Sequence, residues 1–116
     1  MTIQTRMAGS ATIMELHGEL TSNEGDPGLR LEVRSAVENG ARVIILNLRH
    51  VSDIDSFGVA VLASSHMSAV NRGGRLMMSD LSRKLRHLFS LTRLDTVFEI
   101  YDSEADAVAD CRATES

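Results

Sequence analysis

At 116 residues and 12.7 kDa the chain is expected to form one domain over residues 1–116. Its content of 43% hydrophobic and 24% charged residues excludes a disordered or membrane-spanning class. Sixteen acidic against twelve basic side chains give a net charge of -4, with three Phe, one Tyr and no Trp, which argues against direct nucleic-acid binding through a positive field and stacking platforms.

Ile3, Thr5 and Met7 alternate with polar residues, Gly9 and Ser10 mark a turn, and Thr12, Met14 and Leu16 alternate again, predicting a β-hairpin. The stretch TSNEGDPG at 21–28 contains the only proline and reads as a loop. Leu29, Val33, Ala36 and Val37 recur at helical spacing, and Gly40 after Asn39 is a left-handed stop signal, so a helix is expected over 29–39. VIILNL at 43–48 is the pattern of a central strand covered on both faces. After Ser56, the residues Val59, Leu62, Ala63, His66 and Val70 share a helical face until Gly73-Gly74. RLMMS at 75–79 predicts a strand, and Ser82 caps a helix burying Leu85, Leu88 and Phe89. Residues 97–101 read as the last strand; Ser103 and Asp106 resemble a capping box opening a helix that buries Ala105, Val108 and Ala109. The order ββαβαβαβα predicts an α/β fold with a mixed sheet, parallel crossovers following the hairpin, and helices packed mainly on one face.

The N-terminal MTIQTRMAGS lacks the apolar run of a secretory signal, and no segment reaches the roughly 18 apolar residues of a membrane span. A cytoplasmic protein without membrane contact is the expectation. The informative segment is VSDIDSFG at 51–58, where a strand gives way to a helix at the usual functional edge of an α/β sheet. A phosphate on Ser56 would meet free N–H groups and a partial positive charge there. Ser56 could equally be an ordinary cap, or Asp55 the cap with Ser56 at the first helical position. Opposite the apolar stripe, Ala60, Ser64, Ser65 and Ser68 are all small, so this face and the loop before it are the expected partner surface.

GEL at 18–20, VIILNL, VSDIDSFG, Gly73-Gly74 and the tail TVFEIYDSEADAV together resemble the bacterial anti-sigma-factor antagonists of the STAS fold, over nearly the whole chain. The resemblance implies that Asp55 matches the motif aspartate, Ser56 the serine phosphorylated by a serine kinase that is itself the anti-sigma factor, and Gly58 the motif glycine. It implies further that the unphosphorylated protein binds the kinase and frees the sigma factor, and that a PP2C-type phosphatase resets it. The partner-binding positions are then Asp53, Asp55, Ser56, Phe57, Gly58, Ala60 and Ser64. Phe57 stands where the family has a small residue, and Val59-Ala60 replaces the common Leu-Gly. That departure supports an alternative, a STAS scaffold or regulatory subunit of a larger signalling or transport assembly without a sigma-factor switch. The intact Asp-Ser-x-Gly element favours the switch.

No enzyme is expected, because Ser56 lies outside a GxSxG elbow and lacks an evident activating base. Asp53 and Asp55 supply too few oxygens for a hard cation. His17, His50, His66, His87 and Cys111 show no HxxxH or CxxC spacing, so no metal or cofactor is expected. His66 reads as a core-edge residue, Cys111 as inert, Met77-Met78 as gap-filling, and Arg83, Lys84, Arg86 and His87 as a solvated helix face.

Overall fold

Residues 1–115 are described by a computed structural model. The hairpin forms from β1 (Thr2–Ala8) and β2 (Ala11–Leu20), joined through Gly9-Ser10 with Gly9 at φ +64°, the positive dihedral that a two-residue hairpin turn requires. There follow α1 (Leu29–Glu38), β3 (Val43–Ile54), α2 (Ser56–Val70), β4 (Arg75–Ser79), α3 (Arg83–Leu91), a 3₁₀ turn (Leu94–Thr96), β5 (Glu99–Tyr101) and α4 (Glu104–Glu115). The five strands lie in the order β1-β2-β3-β4-β5. Among the described residues only β1 and β2 pair antiparallel; the other pairs are parallel. The VIILNL run is central and buried throughout, as its unbroken hydrophobicity predicts.

Alternation along the strands sorts the core into two layers. Met14, Leu16, Ile44, Leu46, Leu76 and Met78 face one side and pack with Leu29 and Val33 of α1, Leu62 of α2, and Leu85 and Phe89 of α3. Ala11, Ile13, Val43, Ile45 and Met77 face the other side, where α4 covers them with Ala107 and Cys111. Three helices therefore cover one face and one covers the other. Leu62, Leu85 and Phe89 are fully buried, each worth about 1.5–3 kcal/mol of apolar transfer.

Three expectations need correction. The buried stripe of α2 is Gly58, Leu62, Ser65 and Ala69, whereas Ala63 and Val70 are exposed. Ser65 belongs to the core because its hydroxyl donates to the Val61 carbonyl at 2.8 Å, satisfying the polar group inside its own helix. On α4 the buried residues are Ala107 and Cys111 with Val108 half-buried, while Ala105 and Ala109 are exposed. Glu104 sets that phase: its Oε1 accepts from Arg6 at 2.5 Å and from Asn47 at 3.0 Å, turning positions 104, 107 and 111 toward the sheet. The last strand starts at Glu99 because the Phe98 amide still closes a turn on the Leu94 carbonyl at 3.0 Å, leaving Val97 exposed.

Candidate functional site

β3 runs six residues beyond the apolar run at 43–48 and ends at Ile54, delivering Asp55 to the start of α2 in extended conformation, with φ -110° and ψ -171°. Its carboxylate accepts from the Gly58 amide at 3.0 Å, the geometry of an N-cap. The other carboxylate oxygen accepts from both the amide and the hydroxyl of Ser22, at 3.0 and 3.1 Å. One side chain thus caps the helix and fastens the 21–28 loop to it. Hydrogen bonds from the Ser22 amide and then the Gly58 amide hold the Asp55 carboxyl below the usual carboxylate range.

Ser56 is then the first helical residue, exposed to solvent. Of the two capping arrangements open in the sequence, the one with Asp55 as cap is adopted. The backbone behind the site is tightly packed, since a Cβ on Gly58 would lie 1.8 Å from the Leu20 carbonyl oxygen. Beside Ser56 opens a hollow of about 320 Å³ walled by Ile54, Val59, Leu88, Thr92 and Leu94. Phe57 is half-buried and lines a separate hollow with Asp26, Arg30, Ala60 and Ser64.

The remaining expected site residues divide. Ala60 is exposed on the second turn of α2. Ser64 and Ser68 are half-buried and share a hollow with Arg30 and Arg34 of α1 and with Arg72; Ser65 is in the core. The small-residue face is therefore partly occupied by α1. Asp53 pairs with Lys84 at 3.3 Å, and both side chains are exposed, so the pair contributes little stability. Arg86 pairs with Asp102, and Arg83, Lys84, Arg86 and His87 are all exposed, as the solvated-face reading expects. Half-buried His66 packs edge-on against Phe98 with ring centroids 5.8 Å apart.

Ser22 is the site residue that sequence reasoning missed. It lies 33 positions from Asp55, and its only local signal is a hydroxyl residue two positions after the strand that ends in GEL, behind Thr21. On the α4 side of the sheet, Glu15, His17 and His50 converge, although they are dispersed in sequence.

The STAS domain family model matches residues 2–107. The anti-sigma F factor antagonist of Paenibacillus polymyxa is 25% identical over 99 residues, covering 84% of each chain. The anti-sigma-B factor antagonist of Bacillus subtilis is 34% identical over 74 residues, 64% of this chain and 67% of that one. Among solved structures, the anti-sigma factor antagonist SpoIIAA from Bacillus superposes in its unphosphorylated form with a TM-score of 0.69 at 24% identity, covering 96% of this chain and 98% of that one. Its phosphorylated form gives 0.67 at 23%, covering 95% and 99%. Among the described residues no helix is long and apolar enough to cross a membrane. With the Asp-Ser-x-Gly turn between β3 and α2, the five-stranded mixed sheet and a family match that spans most of its length, the chain belongs to the STAS domain family.

Proposed function

We propose that the protein is an anti-sigma factor antagonist switched by phosphorylation of Ser56. In its unphosphorylated state it binds a serine kinase that acts as the anti-sigma factor, which releases the sigma factor; a PP2C-type phosphatase restores that state. The observation that carries this reading is the division of labour at the helix start. Asp55 performs the capping and the loop attachment, and among the described residues the neighbouring Ser56 hydroxyl has no hydrogen-bond partner. A modification at Ser56 therefore costs the fold no cap.

The surroundings supply the reason for a switch. A phosphate adds about -1.5 to -2 charges beside Asp53 and Asp55, at the rim of the hollow formed by Ile54, Val59, Leu88 and Leu94. In the free protein water solvates that charge. A partner seated on the hollow excludes the water, so binding suffers more than folding. A penalty of about 2.7 kcal/mol lowers affinity a hundredfold. Phe57 does not obstruct this reading, because it lines the hollow beside α1 and is absent from the one that Ser56 borders.

The test is co-expression with neighbouring serine kinases, mass mapping of the phosphate, and titration of the unmodified protein, Ser56→Ala and Ser56→Asp against the kinase. Ser56→Ala should bind and resist inactivation, and Ser56→Asp should fold but bind about a hundredfold more weakly. Tight binding by a folded Ser56→Asp protein refutes the charge mechanism and returns Ser56 to an ordinary helix-start residue.

A further inference from the structure

Glu15 and His17 stand two residues apart on β2 and so on the same face. In unbroken register with the Glu15↔Asn47 pair, the residue opposite His17 would be Arg49. β3 instead gains one residue between these positions, and His17 pairs with His50. The bulge exchanges a cation for a second imidazole, whose ring lies against that of His17 with centroids 4.5 Å apart and planes at 11°.

His17 Nε2 is 3.4 Å from Glu15 Oε1, buried and without a hydrogen bond. One ligating atom each from Glu15, His17 and His50 falls within 4.8 Å of the others. Around a tetrahedral ion bound at about 2.0–2.1 Å, ligand atoms stand roughly 3.3 Å apart. The Glu15–His17 pair already has that spacing, and exposed His50 offers a ring nitrogen within 4.8 Å of both. The carboxylate is also oriented from behind: its other oxygen accepts from Arg6 Nε at 3.1 Å, and Arg6 is itself held by Glu104 at 2.5 Å, a supporting layer of the kind that fixes metal ligands.

We propose that Glu15, His17 and His50 form a binding site for a borderline divalent transition metal of the Zn²⁺ class, with one coordination position open to water. Two imidazoles and one carboxylate suit such an ion, whereas Mg²⁺ and Ca²⁺ require mostly oxygen ligands. The site lies on the α4 side of the sheet and does not depend on how Ser56 is used.

Metal-stripped protein of all 116 residues is titrated with ZnCl₂ in a non-chelating buffer by calorimetry, and with Co²⁺ by visible absorption. One ion should bind per chain, and excess Mg²⁺ should not displace it. His50→Ala, at an exposed position, and His17→Ala should each weaken Zn²⁺ binding at least about tenfold, while His87→Ala leaves it unchanged. Zn²⁺-induced shifts of the His17 and His50 ring nitrogens in the unmutated protein supply a readout independent of how the variants fold. Absence of saturable binding below ~1 mM, or undiminished binding by His50→Ala, overturns the proposal.

Discussion

The α-carbon of Gly58 faces the carbonyl oxygen of Leu20 so closely that an added Cβ would stand 1.8 Å from it. The first turn of α2 and the end of β2 are therefore in backbone contact, and the neighbour on the β2 side is main chain with little freedom to yield. Gly58→Ala should destabilise the protein by about 2–3 kcal/mol, measured by urea unfolding, and should weaken partner binding by shifting Ser56. An unfolding midpoint like that of the unmodified protein would show that the helix start can move outward without loss.

The double hold of Asp55 on Ser22 and Gly58 predicts a pH-dependent contribution to stability. Because the folded-state carboxyl titrates below its ordinary value of about 3.9, the ionised cap stabilises the fold above that value. The contribution is lost as pH falls through the lowered one. Asp55→Ala should melt at a lower temperature than the unmodified protein at neutral pH, and the two melting temperatures should converge in strong acid. Ser22→Ala should shift the melting temperature the same way by less, because the Ser22 amide bond remains.

Tyr101 is the only tyrosine and there is no tryptophan, so its ionisation can be read directly by ultraviolet absorbance. Its hydroxyl donates to Asp110, which also accepts from Arg75 at 2.8 Å. Burial, followed by the bond to Asp110, pushes the phenol up to about 12. The neutral phenol then stabilises the fold below the ordinary value of about 10, and that contribution disappears as pH rises toward 12. Tyrosinate absorbance should develop near pH 12 in the folded protein, and Asp110→Asn should move the midpoint down. A midpoint near 10 in the folded protein would contradict this environment.

Ala60 is the better probe of the partner surface than Ser64, where an arginine would be crowded against Arg30, Arg34 and Arg72. Ala60→Arg should change stability by no more than about 0.5 kcal/mol, the usual range for an exposed position, and, on the proposed function, lower affinity for the anti-sigma kinase at least about tenfold. Unchanged affinity would place the interface away from this turn of α2.

The elements legible in the sequence were those announced by local chemistry: the Gly9-Ser10 turn, the Ser82 cap, the stop at Gly73-Gly74 and the unbroken VIILNL strand. The phase of α2 was not legible. Apolar residues lie all round that helix, and Ser65 satisfies its hydroxyl internally, so hydropathy marked a stripe that shares Leu62 with the buried one but is turned away from it toward exposed Ala63 and Val70. α4 misled for a related reason, since alanine is nearly indifferent to burial and the charged Glu104 turns toward the sheet through Arg6 and Asn47. At the site, Asp55, Ser56 and Gly58 could be named from adjacent residues. The Ser22–Asp55 contact could not, because it depends on how β2 and β3 end side by side, and the His17–His50 pair depends on a shift in register.

Between the Glu15↔Asn47 and Leu20↔Ile54 pairs, β3 carries two more residues than β2, added at two separate shifts. Two is the period of the pleat, so Leu20 and Ile54 return to the same layer as Leu16 and Leu48. Length in this segment is therefore quantised. A single added or deleted residue would turn Ile54 to the opposite face and carry Asp55 away from Ser22, whereas a paired change restores the phase. Drift in loop length, commonplace elsewhere on an α/β protein, is restricted here to even steps or to a compensating change in β2.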